Sequence, residues 1–235
     1  MKKGLTRLIC LLLLGTSFIS ISAEDGDEVS AEDRYFSNPR VMMMREQALI
    51  NARESKEEAI KALAEYLDEG AAREGDADIH AILEFLVLEG SKIRIFKGSY
   101  VANNYPDIRI SACNLLGRLG GENSMETLLE VIRSEADYTV IAEAFLALGK
   151  IGLNPKNKVL AEMSRTMNDR SAVATEKSLA KAYLMGVKAI LESTGTVNES
   201  NTFSMITRII ILNLYGKEIQ QMARDLQLDI QKANK

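Results

Sequence analysis

The phrase LLGRLGG at residues 115–121 returns as LALGKIG at 146–152. Gly117 matches Gly149, Leu119 matches Ile151 and Gly120 matches Gly152, always 32 residues apart. The offset persists beyond the phrase: Leu128 matches Leu160, Glu130 matches Glu162 and Val131 matches Met163. A chain that repeats at this period is built from one supersecondary unit used several times, each burying its apolar face against the next. Each copy here reads as two helices joined by a glycine turn. Gly120 and Gly152 suit helix ends, where a left-handed residue costs a side chain with a Cβ about 1 kcal/mol or more. Gly117 and Gly149 sit inside a helix, where glycine costs ~1 kcal/mol relative to alanine. Those two positions therefore predict a neighbouring helix in close approach. Ala112 and Ala144 keep the same face small.

The flanking units are looser. Asn38-Pro39 marks a helix start over 39–53, with proline in its first turn. Met42, Met43 and Met44 in that helix are read as core filling. Ser55 and Glu58 have capping-box spacing, and Ile60, Leu63, Ala64 and Leu67 follow at helical period. DIHAILEFLVLEG, 78–90, is apolar nearly all round and predicts a helix buried between neighbours. Pro106 opens the first clear copy, and Asn154-Pro155 caps KNKVLAEMSRTM in the second. A third unit is looser: Asp169 falls 32 residues after Asp137, in NDRSAV, and the first helix of that unit is longer, up to Leu191. FSMITRIIILNLY, 203–215, is almost wholly apolar and is expected to be buried. The last helix, 217–232, carries Ile219, Met222, Leu226 and Ile230 on one stripe, as the end of a stack requires.

One segment departs from the helical period. In KIRIFKGSYV, 92–101, Ile93 and Ile95 alternate with Lys92 and Arg94, and Lys97-Gly98 can turn the chain, so a short β-hairpin is expected. Lys92, Arg94 and Lys97 make it a positive patch, interleaved with Phe96, Tyr100 and Tyr105. Two readings stand: a covering loop whose apolar side chains fold onto the helices, or a loop that contacts a partner.

The first 23 residues place Lys2, Lys3 and Arg7 before an apolar run that ends at small Ser22 and Ala23, the order of a secretory signal peptide. The run is short for a membrane span of ~20 residues, so an uncleaved anchor is the second reading. Cys10 opens the apolar run instead of closing it, which speaks against a lipoprotein signal. EDGDEVSAEDRYFS, 24–37, has six carboxylates and little to bury, and reads as a flexible acidic leader. A single domain then fills 38–235. The whole chain holds 29 basic and 33 acidic residues; without the first 23 it holds 26 and 33. Such an acidic surface repels phosphate backbones, which excludes nucleic acid as an expected partner.

PDIRISACNLLGRLGG, SMETLLEVI, AEAFLALGKIG and NPKNKVLAEM together resemble the HEAT repeats of short bacterial HEAT-like proteins. The resemblance is strongest over 105–167. It includes an Asp-x-Arg signature at Asp107 and Arg109, which the second copy lacks at Ile141. The resemblance implies an all-α fold: an α-solenoid of antiparallel helix pairs, about ten helices, with the hairpin near 92–101 inserted. It also implies a concave face, lined by the second helix of each pair, that binds another protein. Those helices would be 124–134, 155–167 and 201–214. Their exposed candidates are Glu126, Glu130, Arg133, Lys156, Lys158, Glu162 and Arg165, beside Lys92, Arg94, Phe96, Lys97 and Tyr100 of the hairpin. The chain is also similar to small exported HEAT proteins of bacteria with periplasmic flagella, which implies a structural part of a periplasmic machine as an alternative.

Catalytic signals are poor. His80 is the one histidine and lies on the buried-looking helix, away from any nucleophile motif. Cys113, in ISACNLL, reads as a small core residue, and with His80 it supplies too few ligands for a metal. The glycines of LLGRLGG lack the strand before and the Gly-Lys-Ser/Thr after that a phosphate loop needs. No Gly-x-Ser-x-Gly elbow is present. No cofactor is expected. Some HEAT-like proteins act as pigment-attaching lyases or their helpers, but export and the near absence of His and Cys point away from that. The expectation is an exported, non-catalytic binding scaffold or assembly factor of the cell envelope. It would bind a protein, meet a membrane only through an uncleaved signal segment, and could form a homo-oligomer. A small-molecule-binding or enzymatic helical domain is the alternative from another class, and it requires an enclosed pocket near 80–105.

Overall fold

The computed structural model describes residues 38–171 and 176–235. The segments read as signal peptide and acidic leader lie outside the described residues. Within them the fold is all-α apart from one hairpin. The helices are α1 (Pro39–Leu49), α2 (Arg53–Asp68), α3 (Ala77–Leu88), α4 (Pro106–Leu119), α5 (Gly121–Ser134), α6 (Tyr138–Ile151), α7 (Lys158–Ser171), α8 (Lys177–Thr194), α9 (Ser200–Ile211) and α10 (Lys217–Ala233). Between α3 and α4 lie β1 (Phe96–Lys97) and β2 (Tyr100–Val101), paired antiparallel with Phe96 opposite Val101 and Lys97 opposite Tyr100.

The helices pack in two layers. The even-numbered helices contact one another in order, α2 to α4 to α6 to α8 to α10. The odd-numbered ones do the same, α1 to α3 to α5 to α7 to α9. The core runs between the layers. Leu116, Phe145, Leu148 and Tyr183 fill it from the even side, and Leu83, Leu128, Leu160 and Ile206 from the odd side.

The inner glycines are where the even helices meet. A Cβ added to Gly117 would stand 2.9 Å from the Cα of Ala147, and one added to Gly149 would stand 2.8 Å from the Cα of Gly186. Gly186 continues the seam, since its Cβ would lie 2.6 Å from the Phe145 carbonyl oxygen. Carbon atoms normally keep ~3.5–4.0 Å apart. The backbones thus touch where side chains would stand, which is the compensation expected for glycine inside a helix. The terminal glycines differ. Gly152 ends α6 in the left-handed conformation, whereas Gly120 pairs φ 74° with an extended ψ of −167° and joins α4 directly to α5.

Four local expectations are corrected. Helix α2 begins at Arg53 after extended Ala52, so Ser55 and Glu58 form no capping box. Instead the Ser55 hydroxyl donates to the Gln47 carbonyl oxygen, and Glu58 accepts from the Gln47 side chain. Helix α5 starts at Gly121 and not at Ser124, because the Gly120–Gly121 pair already makes the turn. Of the three methionines, Met44 is buried but Met43 faces solvent, as adjacent positions on a helix must. Over 203–215, Met205, Ile206 and Ile209 are buried, while Ile211 (72% exposed) and Leu214 lie outside: α9 ends at Ile211, and these two side chains are exposed among the described residues.

Candidate functional site

The hairpin stands on a buried polar root. Lys56, on α2, is wholly buried; its ammonium donates to the Ala48 carbonyl oxygen (2.7 Å) and pairs with Glu89 (2.8 Å). Asn103, also wholly buried, donates to the Ile93 carbonyl (2.9 Å) and to Glu89 Oε1 (3.3 Å), and accepts from the Ile95 amide (2.8 Å). Arg109 adds a second buried pair with Glu135 (2.6 Å) and donates to the Glu89 carbonyl and to Asn104. Glu135 also accepts the amides of Ala136 and Asp137. Breaking one partner of such a pair costs about 3–5 kcal/mol. The root is thus a set of mutually paired polar groups that fixes residues 89–104 against α2, α4 and the end of α5. Gly90 completes it, since a Cβ there would fall 2.5 Å from the Asn103 carbonyl oxygen.

Beyond this root the ribbon is free. Phe96 is 61% and Tyr100 62% exposed, and Ile93, Ile95, Arg94 and Lys97 are exposed beside them. The covering-loop reading of 92–101 is therefore corrected. The apolar side chains do not fold onto the helices, because Asn103 and Glu89, not Phe96 or Tyr100, occupy the space below.

The odd-numbered layer gathers the other sequence candidates. Lys92 pairs with Glu130 of α5 (2.9 Å). Lys158 at the start of α7 pairs with Glu126 of α5. Arg133 of α5 donates to Glu162 of α7 (3.0 Å), which Arg165 also holds. Partial burial opposes ionisation of Glu162, yet the hydrogen bonds from Arg165 and Arg133 outweigh it and hold the carboxyl below its usual range. The ion pairs tie the hairpin base, α5 and α7 into one polar face. Lys156 stands apart on the turn before α7, in a left-handed conformation (φ 51°).

This face contains an open cleft of about 450 Å³ between α7 and α9, lined by Glu162, Arg165, Asn168, Asn201, Met205 and Arg208 among others. Its floor is tied down by Ser164, hydrogen-bonded to the buried hydroxyls of Tyr183 (2.8 Å) and Thr202 (2.9 Å). Burial pushes the Tyr183 phenol far up, so it stays a neutral bridge. Arg208 was missed in the sequence because it lies between apolar residues of a segment expected to be buried, and Asn168 and Asn201 because neither carries a pattern of its own. Arg208 itself, a charge within an apolar run, was the available signal.

A second open cleft, about 420 Å³, lies beside the hairpin root and includes Arg94, Asn104, Arg109, Glu135 and Asp137. Its acids are engaged: Glu135 as described, Asp137 as the cap of α6. Burial opposes ionisation of Asp137, but hydrogen bonds from Thr139 hold it below its ordinary value. His80 shares a hydrogen bond with Thr127 of α5 (3.0 Å) and links α3 to α5. Cys113 is buried, and desolvation pushes its thiol far above the ordinary range. Among the described residues no group of three or more His, Cys, Asp and Glu could hold a metal ion, and no helix is long and apolar enough to cross a membrane. No protein-family model, characterised protein or solved structure matches the chain.

Proposed function

We propose that the chain is an exported, non-catalytic α-solenoid of the HEAT type that binds another protein, as a scaffold or assembly factor of the cell envelope. The observation that carries this reading is the polar face made by α5, α7 and α9 side by side, with its open cleft over Arg165 and Arg208. A groove of this kind suits an extended or helical segment of a partner better than an enclosed small substrate. The repeat supports the same reading. Matching glycines make matching helix contacts in successive units, as stacked repeats do. A structural part of a periplasmic machine is a special case of this function.

The test is affinity capture from envelope extract with the wild-type protein and with Arg165→Glu/Arg208→Glu. The variant gives up the Arg165–Glu162 and Arg208–Asn168 bonds at the surface, so circular dichroism first checks that it folds as wild type. The expected result is a stoichiometric partner that the double variant loses. Recovery of the same partner by both proteins, or of none by either with no self-association by light scattering, would count against this face.

A further inference from the structure

Among the described residues, half of the exposed large apolar side chains gather at one edge of the fold. The edge is defined by three links. Lys56 joins the last turn of α1 to the end of α3. Arg53 joins the start of α2 to Asp107 at the start of α4 (2.9 Å). Arg109 joins the start of α4 to Glu135 just past α5. The α1–α2 turn here carries exposed Leu49 and Ile50, and the hairpin carries Ile93, Ile95, Phe96 and Tyr100. Among the described residues, six of the twelve exposed large hydrophobic side chains thus lie on this edge.

The charges complete the pattern. The acids of this edge are mostly spent within the protein. Glu89 and Glu135 are buried in ion pairs, Glu130 is paired with Lys92, and Asp107 and Glu57 are both held by Arg53. Glu46 in the last turn of α1, Glu54 and the cap Asp137 are further carboxylates near it. Arg94 donates only to the Ser91 carbonyl, and Lys97 has no carboxylate partner among the described residues. An acidic protein therefore presents two unspent cations where its apolar side chains stand out.

The ribbon geometry indicates what covers them. Phe96 and Val101 lie on one face of the hairpin, Lys97 and Tyr100 on the other. A flat protein patch would cover one face and leave the second aromatic in water. A bilayer interface surrounds both faces, takes aromatic rings at headgroup level and attracts lysine and arginine to anionic lipids. We propose that this edge, led by the hairpin tip, docks peripherally on an anionic lipid surface, with Phe96 and Tyr100 in the interface and Arg94 and Lys97 at the headgroups. The buried root of Lys56, Glu89, Asn103 and Arg109 holds the tip ready, so little ordering is needed on contact. This surface is separate from the cleft between α7 and α9, and its test involves no protein partner.

The chain has no tryptophan, so Phe96→Trp places a single indole reporter at the tip. Leu153→Trp, at the turn after α6, provides a reporter at the opposite edge. Each variant of the full chain is mixed with vesicles of phosphatidylcholine alone or with phosphatidylglycerol. The expected result is a blue shift of the tip reporter with the anionic vesicles only, quenched by bromolipid and reversed by salt. The reporter at the opposite edge should stay unchanged. In sedimentation with the anionic vesicles, Tyr100→Ser should lower the partition by about tenfold. Arg94→Gln/Lys97→Gln should lower it about fivefold per charge removed. All these side chains are exposed, so unchanged circular dichroism is expected. No shift of the tip reporter with any vesicle would overturn the proposal and assign the tip to an acidic groove on a protein. Equal shifts of the two reporters, or partition indifferent to the hairpin variants, would overturn it as well.

Discussion

Gly149→Ala tests the seam between the even-numbered helices because two effects with opposite sign meet there. On an isolated helix, alanine is better than glycine by ~1 kcal/mol. In this fold the new Cβ would stand 2.8 Å from the Cα of Gly186, 3.1 Å from its carbonyl oxygen and 3.1 Å from the Cβ of Ala189. The first two obstacles are backbone, so no rotamer change relieves them. Restoring ordinary contact requires α6 and α8 to part by roughly 0.7–1.2 Å. Overpacking of that kind typically costs about 1–3 kcal/mol, and here the gap would open along two long buried faces. Taking the upper part of that range, about 2–3 kcal/mol, the expected net loss is about 1–2 kcal/mol after the propensity gain. Urea unfolding followed by circular dichroism should give a lower midpoint at unchanged slope, which separates stability from denatured-state effects. Adding Ala189→Gly should not restore the midpoint, since Gly186 remains in the way. A midpoint equal to or above wild type for Gly149→Ala would refute the close-packing account and leave the glycines without a structural reason.

The buried pair offers a second measurement: Arg109→Met should cost about 3–5 kcal/mol, and Arg109→Met/Glu135→Met clearly less than the two single costs together, read from a double-mutant cycle. Glu162 predicts the pH dependence: its folded carboxyl lies below the unfolded value, so its contribution is complete above the ordinary glutamate pKa of about 4.3 and is lost as the pH falls through the lower folded value. Stability of the wild type should fall more steeply with acid than that of Glu162→Gln; parallel acid profiles would contradict the assignment. Cys113 should resist a thiol reagent in the native state and react at the rate of unfolding, because it is buried and its thiol is held protonated; fast native labelling would show that α4 opens locally.

What the sequence revealed of the fold follows from what periodicity measures. A 32-residue echo records contacts that every unit must make again, so the glycine seam and the stripe of α10 at Ile219, Leu226 and Ile230 were legible residue by residue. The third unit was harder: Gly186 lies 37 residues after Gly149, so a fixed offset passes over it although it makes the same kind of contact. Apolar content misled where helices end. Ile211 and Leu214 continue the run of α9 in composition but fall beyond its last covered turn.

The candidate site divides along the same line. Glu126, Glu130, Arg133, Glu162 and Arg165 were legible because a helix's polar side faces outward, and the structure gathers them on one face. Apart from the local Arg165–Glu162 pair, their pairing was not legible, since it joins residues 29 or more apart on separate elements. The hairpin depends on this most. KIRIFKGSYV reads equally well as a lid or as a probe, because its alternation fixes the strands but not what lies under them. The decision rests with Lys56, Glu89 and Asn103, which carry no pattern at all. Fully buried and mutually bonded, they fill the space that Phe96 and Tyr100 would otherwise take. A polar root below and aromatics above is the reverse of ordinary burial. Stability alone gives no reason for exposing two aromatic rings, each of which would gain ~1.5–3 kcal/mol if buried, so the arrangement points to something beyond the described residues.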